Sequence, residues 1–336
     1  MVTGASAGVG RAVAVEFARR GFDVAVLARG AAGLRAAADD VAATGARALP
    51  VPVDVADADE VDAAAGKVED ELGPIDVWVN NAMTTVFAPT WDVAPDDFRR
   101  AIEVTFLGQV WGTKAALDRM RPRDSGTIVN VGSALAYIGI PLQSAYCAAK
   151  FACRGYVESV RAELIHERSR VHLCMVHLPA VNTPQFDWCE TTLDRRPQPV
   201  PPIYQPEIPA RHIVDTALSG RRSTIVGSWN KLLVGAGSVL PGFGNQFAGL
   251  SAWESQLGDQ PVPPDRPVNL HRPVDDATAR GTHGAFDDRS GGFWNREFLR
   301  TLPATFATFV RAAGRASREK TRVLGLVGRP TGQDDH

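Results

Sequence analysis

Ser133–Lys150 reads SALAYIGIPLQSAYCAAK. The stretch holds a serine, a tyrosine thirteen residues later, and a lysine four residues after the tyrosine. From Ser144 onward (SAYCAAKFACRGYVESVRAELIHE) the chain is rich in alanine and lacks proline, which predicts a long helix. Residues i and i+4 share a helix face, so Tyr146 and Lys150 point the same way. An ammonium beside a phenol favours the phenolate, and Lys150 is therefore expected to lower the Tyr146 pKa toward a working range. YxxxK alone is a weak motif, and a tyrosine and a surface lysine falling together by chance is the plainer explanation. The surrounding chain has to decide between them.

Composition sets the bounds. With 336 residues, 45% of them apolar, the chain is long enough for one large domain or a domain with an extension. A net charge of −2 argues against a nucleic-acid partner. Cys147, Cys153, Cys174 and Cys189 form no CxxC pair and no metal-like spacing with histidine. Free thiols, no metal site and a reducing, cytoplasmic setting are the expectation. No apolar run reaches 18 residues, so no spanning helix is predicted, and no signal peptide is expected.

The chain opens MVTGASAGVG, in which Thr3, Gly4, Gly8 and Gly10 form a TGxxxGxG pattern with Ser6 inside it. An amphipathic segment, RAVAVEFARRG, follows and stops at Gly21. Glycines let the backbone turn tightly against a pyrophosphate, and the helix N-terminus supplies free N–H groups and a positive dipole end. The strand before this turn is nearly missing, because only Met1 and Val2 precede Thr3. A start upstream of Met1 is the preferred explanation, a shortened strand the alternative. FDVAVLA (22–28) reads as a buried parallel strand ending at Ala28-Arg29. An acidic residue there would bind the ribose 2′-OH of NAD, whereas an arginine suits a 2′-phosphate. Ala28 accepts no hydrogen bond and Arg29 pairs with phosphate, so NADP(H) is expected over NAD(H). Arg29 as a plain solvated loop residue is the alternative.

A helix over 33–44 and the strand ALPVPVDV lead to Asp54-Val55. Asp54 either accepts from an adenine amino group or caps the acid-rich helix that follows. The strand IDVWVNNA runs to Asn80-Asn81-Ala82, Pro95 opens another helix, TIVNVGS ends at Ser133, and RVHLCMVHLPA leads to Pro179 and Thr183. Strands alternating with helices predict an α/β fold with a doubly wound parallel sheet, whose ligands sit at the carboxyl ends of the strands.

TGASAGVG, NNA, Ser133, YCAAK and the proline after the sixth long strand resemble the short-chain dehydrogenase/reductase family in order and spacing. The resemblance covers about 1–228 and implies a Rossmann-like, single-domain catalytic core. It implies that Tyr146 is the acid/base, that Ser133 hydrogen-bonds the substrate oxygen, and that Lys150 binds the nicotinamide ribose and lowers the Tyr146 pKa. Gly4, Ser6, Gly8, Gly10, Arg29, Asp54, Val55, Asn81, Pro179 and Thr183 would complete the cofactor site. Hydride would pass between the nicotinamide and a carbonyl or alcohol carbon. Four features depart from the family pattern. Met83 stands for a glycine, Thr105 stands for an asparagine of the proton relay, Thr183 arrives one residue early, and the first strand is nearly absent. Thr105 could substitute in the relay with fewer hydrogen-bonding positions. A non-catalytic NADP(H) sensor or scaffold is the alternative function. The resemblance also implies a homodimer or homotetramer, with the Tyr146 and Pro95 helices at the interface.

Between 197 and 209, PQPVPPIYQPEIP reads either as a semi-rigid lid with Ile203 and Tyr204 on the substrate, or as a connector. Phe186, Trp188 and Cys189 suggest an apolar wall, and with it an apolar carbonyl or alcohol substrate, although such residues are more often core. Residues 229–336 are expected to form an irregular and helical C-terminal extension, with a long loop or disorder over 258–292. HGAFDD (283–288) reads as a turn rather than a metal site. The tail carries Arg311, Arg315, Arg318 and Arg322 along one prospective helix face. Peripheral contact with an anionic membrane is one reading of that basic segment, and a solvated face or docking arm is the stronger one.

Overall fold

Seven strands in the order β12-β7-β6-β4-β1-β2-β3 make one parallel sheet. The computed structural model describes residues 1–239, 242–291, 307, 308, 310 and 311. The sheet strands are β1 (Val2–Thr3), β2 (Val24–Ala28), β3 (Ala48–Pro52), β4 (Val77–Asn80), β6 (Thr127–Ser133), β7 (His172–Leu178) and β12 (Ser223–Ile225). Every pairing among them is parallel. Parallel strands need crossovers, and the helices that provide them cover both faces. They are α1 (Gly8–Arg19), α2 (Ala31–Ala42), α3 (Ala58–Leu72), α4 (Pro95–Ile102), α5 (Gly108–Met120), α6 (Ser144–His166) and α8 (Glu207–Ser219). The expected doubly wound α/β core is therefore present, and its strand order reverses beside β1.

The core explains why the sequence settles this way. One face packs Val13 and Phe17 of α1 and Ile213 and Val214 of α8 against Val26 and Val176. The other packs Val157, Val160 and Leu164 of α6 against Ile128, Leu173 and Met175. Each such fully buried aliphatic side chain contributes about 1.5–3 kcal/mol. β1 has only two residues, yet it is central: Val2 faces Val26 on one side and Val79 on the other. α4 passes into α5 through a π-helical turn, Glu103–Leu107, a form that recurs at functional sites.

Short elements frame the carboxyl ends of the strands. These are β5 (Val86–Phe87), β8 (Ala180–Val181), α7 (Gln185–Trp188), β9 (Glu190–Thr191), β10 (Arg195–Pro197) and β11 (Ile203–Tyr204). β11 runs parallel to β8, so Ile203 and Tyr204 lie in a small ribbon with Ala180 and Val181. Beyond the sheet, α9 (Ser228–Val239) and α10 (Phe243–Ser255) lead into β13 (Leu257–Pro261), which pairs antiparallel with β10. From 262 to 291 the chain is irregular, as expected of a long loop. It makes specific bonds: the Leu270 carbonyl to Arg29 just after β2, Asp276 to the first turn of α2, His283 to Glu207 of α8, and the Phe286 N–H to Asn182 just after β8. Of the basic tail, Arg311 is described and donates to Thr308 at 3.1 Å. Arg315, Arg318 and Arg322 lie outside the described residues.

Candidate active site

β6 ends and α6 begins at one crevice. Ser133, the last residue of β6, is held by the chain that follows: its Oγ accepts from the Leu135 N–H at 3.1 Å. The Ser133 side chain stands near enough to the Tyr146 hydroxyl to act on its pKa. Lys150, one helical turn on, is 1% exposed, and its Nζ donates to the Val131 carbonyl at 2.7 Å. That Nζ lies 5.6 Å from the centre of the Tyr146 ring. The helix register thus brings the three side chains together.

The electrostatics differ from the expectation. Burial raises the Tyr146 pKa, and the neighbouring Ser133 side chain opposes this without overcoming it. Burial also lowers the Lys150 pKa. Desolvation disfavours both charged forms. Burial thus acts on Tyr146 in the direction opposite to the expected lowering.

His177 was not singled out from the sequence, where it is one of several residues in a buried strand. β7 places it beneath Ser133, with Nδ1 3.3 Å from the Ser133 carbonyl and Nε2 3.1 Å from the Tyr137 hydroxyl. Burial holds its pKa down, to about 4. A neutral imidazole has one N–H and a carbonyl only accepts, so Nδ1 carries the proton and the Tyr137 O–H donates to Nε2.

Thr105 sits in the π-helical turn, fully buried. Its hydroxyl donates to the Thr84 carbonyl at 2.8 Å and accepts from the Thr84 N–H at 3.0 Å. Thr84 thus takes the hydroxyl's one proton and one of its two acceptor positions. Thr105 ties the helix to the loop carrying Met83.

A single cavity of about 540 Å³ runs from this corner to the N-terminal turn. Gly4, Ser6, Gly8, Gly10, Arg29, Asp54, Val55, Asn81, Ser133, Tyr146, Lys150, Pro179 and Thr183 all line it, and Thr105 does not. The turn is built for close approach. A methyl group on Gly10 would fall 2.2 Å from the Gly4 carbonyl oxygen, and Gly4 itself has a φ of +64°. Asn81 locks the turn to β4, with Nδ2 donating to the Thr3 and Gly4 carbonyls at 3.0 and 3.2 Å. Of the two roles open to Asp54, capping belongs to Asp57, whose carboxylate accepts from the Asp59 and Glu60 amides. Asp54 pairs instead with Arg100 and faces the cavity. Glycines at the turn, an acceptor at Asp54 and hydroxyls at the far corner fit an extended dinucleotide.

Arg29 lies beside the end of β2, as expected, but its guanidinium is not free. Nη2 donates to the Asn269 carbonyl at 2.6 Å, and Nη1 to the carbonyls of Leu270 and His271 at 3.3 and 3.2 Å. Desolvation lowers its pKa, with Asp54 and Asp275 opposing that shift. The Gly8 N–H at the glycine turn is likewise donated to the Gly281 carbonyl, at 3.1 Å.

The side of the cavity away from the glycine turn is apolar. Phe87, Phe186, Trp188, Trp229, Leu233 and Phe247 line it, together with Gln198–Pro202. Residues 198–202 of the proline-rich segment line this side of the cavity. Ile203 and Tyr204 do not, because their pairing with β8 turns them away from the cavity. His283 of HGAFDD bridges Glu207 and Asp287, at 2.9 Å from each. Desolvation pulls its pKa down, but the bonds and charges of those two acids outweigh it and hold the pKa above the ordinary value.

Comparison with known proteins agrees with this geometry. The sequence model of the family described as short chain dehydrogenase matches residues 1–191. The chain is 32% identical over 266 residues to the uncharacterized oxidoreductase YxnA of Bacillus subtilis (strain 168), covering 79% of this chain and 75% of that one. It is 29% identical to 3-dehydrosphinganine reductase of Danio rerio, over 68% of this chain and 70% of that one. Among solved structures, an alcohol dehydrogenase from the archaeon Thermococcus sibiricus, complexed with 5-hydroxy-NADP, is similar. Its TM-score is 0.57 and its identity 27%, covering 67% of this chain and 93% of that one.

Proposed function

The chain belongs to the short-chain dehydrogenase family, oxidoreductases that use NAD(P)(H), and on that premise we propose that it interconverts an apolar carbonyl compound and its alcohol with NADP(H). The observation that carries this is the single cavity joining the glycine turn to the Ser133–Tyr146–Lys150 corner. Gly4, Ser6, Gly8, Gly10 and Asn81 would hold the pyrophosphate side, Asp54 and Val55 the adenine, and Pro179, Thr183 and Lys150 the nicotinamide side. When bound there, the cofactor supplies or accepts the hydride.

The chain's own residues do the rest. Ser133, fixed by Leu135, donates a hydrogen bond to the substrate oxygen. Tyr146, kept neutral by burial, donates its proton to that oxygen as the carbonyl is reduced, and recovers it in the reverse direction. Lys150, anchored on Val131, keeps a positive charge near the tyrosine oxygen as negative charge develops on it. His177 holds the Ser133 backbone from below. Phe186, Trp188 and Trp229 exclude water and favour an apolar substrate.

The likeness to a chain complexed with 5-hydroxy-NADP supports the NADP(H) preference. Residues beyond 228 serve the core, since α9 and α10 supply walls of the cavity. Half-exposed Phe151 and exposed Ile165 on α6 support a homodimer or homotetramer through that helix. No helix among the described residues is long and apolar enough to cross a membrane.

The test is NADPH and NADH oxidation by purified protein over a panel of apolar ketones and aldehydes, beside Tyr146→Phe. Turnover that needs NADPH and Tyr146 is expected. NADPH binding with no turnover on any substrate would instead support the second reading, a non-catalytic sensor or scaffold, which the engagement of Thr105 with Thr84 favours.

A further inference from the structure

Between β13 and Gly291 the chain crosses the adenosine side of the cavity as a strap, and it takes the donors that a 2′-phosphate would use. Arg29 spends both terminal nitrogens on the carbonyls of residues 269–271. The first-turn amides of α2 go to the same strap: Ala31 to Asp276 Oδ1 at 3.1 Å, Ala32 to the Asp276 carbonyl at 3.2 Å, and Gly33 to the Asp275 carbonyl at 3.0 Å. Such amides have no partner within their own helix and are ready-made anion ligands.

Asp275 lies among these groups. It is 4% exposed and lines the cavity. Its carboxylate rests directly on two glycines: a methyl group on Gly30 would fall 1.8 Å from Oδ1, and one on Gly33 2.0 Å from Oδ2. The same point on Gly33 is 2.7 Å from Ser6 Cβ, so Ser6 borders the same space. Oδ2 is buried without a hydrogen-bond partner. A buried, unpartnered carboxylate oxygen is costly unless a ligand or a neighbouring charge compensates it. The neighbours here are Arg29 and the positive end of α2, the groups that attract phosphate.

We infer that residues 269–276 are a built-in occupant of the 2′-phosphate subsite, with Asp275 as the anion that a 2′-phosphate replaces. Phosphate and carboxylate do not share this space, since both are anionic and the strap already holds the Arg29 and α2 donors that a phosphate would use. NADP(H) seats only when the strap withdraws. NAD(H), which lacks that phosphate, seats beside it. Asp275, far from β2 in sequence, is thus a specificity-determining residue that holds down the preference for the 2′-phosphate. This inference rests on the NADP(H) reading above.

The strap is tied at both ends, which lets its middle move alone. β13 is paired with β10 before it, and His283, Phe286 and Asp287 are bonded to Glu207 and Asn182 after it. The Gly281 carbonyl on the Gly8 amide meets both cofactors alike and does not enter their ratio.

The experiment is equilibrium binding of NADPH, NADH, 2′,5′-ADP and 5′-AMP to the full chain and to Asp275→Asn, which keeps shape and removes charge. NADPH and 2′,5′-ADP are expected to bind at least about tenfold tighter to the variant, and NADH and 5′-AMP to change by less than about threefold. Equal changes for all four ligands, or weaker NADPH binding, overturn the inference. Hydrogen exchange on the unaltered protein gives a check that needs no variant. NADPH should speed exchange across 269–276 and NADH should not, and equal protection by both means the strap stays seated and the inference is wrong. If the protein binds neither dinucleotide, the proposed function falls as well. If it binds both and the variant leaves their ratio unchanged, the inference falls and the proposed function stands.

Discussion

The two ends of the cavity are built in opposite ways. At the hydride end, Ser133, Tyr146 and Lys150 come from one strand end and the first turns of the next helix. At the adenosine end, Arg29 meets acceptors 240 to 242 residues away in sequence. The first geometry follows from the 3.6-residue period of a helix. The second follows only from the path of a long irregular segment. What differs is how each end keeps its place. The catalytic corner is fixed by neighbours in the core, whereas the adenosine end is closed by a strap anchored at its two ends.

Breaking the hydride end should have the largest effect. Tyr146→Phe removes the proton donor and keeps the ring, so turnover should fall by about 10²–10⁴-fold with cofactor binding retained. Steady-state rates beside a binding titration check this. A variant that turns over normally would remove Tyr146 from the chemistry.

His177 sharpens the contrast, because it ties the hydride end to the stability of the core. Its pKa is depressed in the folded chain, to about 4 from 6.5. The stability linked to that shift is present above pH 6.5 and is lost as pH falls toward 4. It amounts to roughly 3 kcal/mol across that window. Urea unfolding at several pH values should show this slope, and His177→Gln should flatten it. An unchanged slope would mean that other groups carry the acid sensitivity.

The glycine turn lies between the two ends. Gly10→Ala forces a methyl onto the Gly4 carbonyl, with an expected loss of about 1–3 kcal/mol in stability and of most dinucleotide affinity. Thermal unfolding and NADPH titration test the two parts separately. Thr105→Val should have the smallest effect. It leaves the Thr84 N–H and carbonyl unpaired at a cost of about 1–3 kcal/mol, and a relay role would add a shift in the pH profile of turnover. A loss of stability with an unshifted profile fits its place against Thr84.

The parts of the site set by local rules were legible in the sequence. The alternation of strand and helix patterns predicts the parallel sheet, and glycine spacing places the turn. Asp54 and Arg29 fall at strand ends where the cavity lies. What depends on enclosure was not legible. The direction of the Tyr146 shift is set by how far protein surrounds the phenol, which sequence spacing does not measure. His177 carries no motif. Ile203 and Tyr204 looked like lid residues because their pairing with β8 is a long-range event. Asp275 sits in a segment rich in proline, aspartate and glycine, whose composition reads as a loop and does not say what the loop covers.

The central claim is hydride transfer through the Tyr146 corner, and deuterium transfer reads it most directly. Full-length protein is mixed with NADPH carrying deuterium at the transferable C4 position and a panel of apolar ketones and aldehydes, and the alcohols formed are weighed by mass spectrometry. The account predicts an alcohol one mass unit heavier from at least one substrate, absent from Tyr146→Phe at matched cofactor occupancy. No labelled alcohol from any substrate with the cofactor bound, or equal label from the variant, would contradict it.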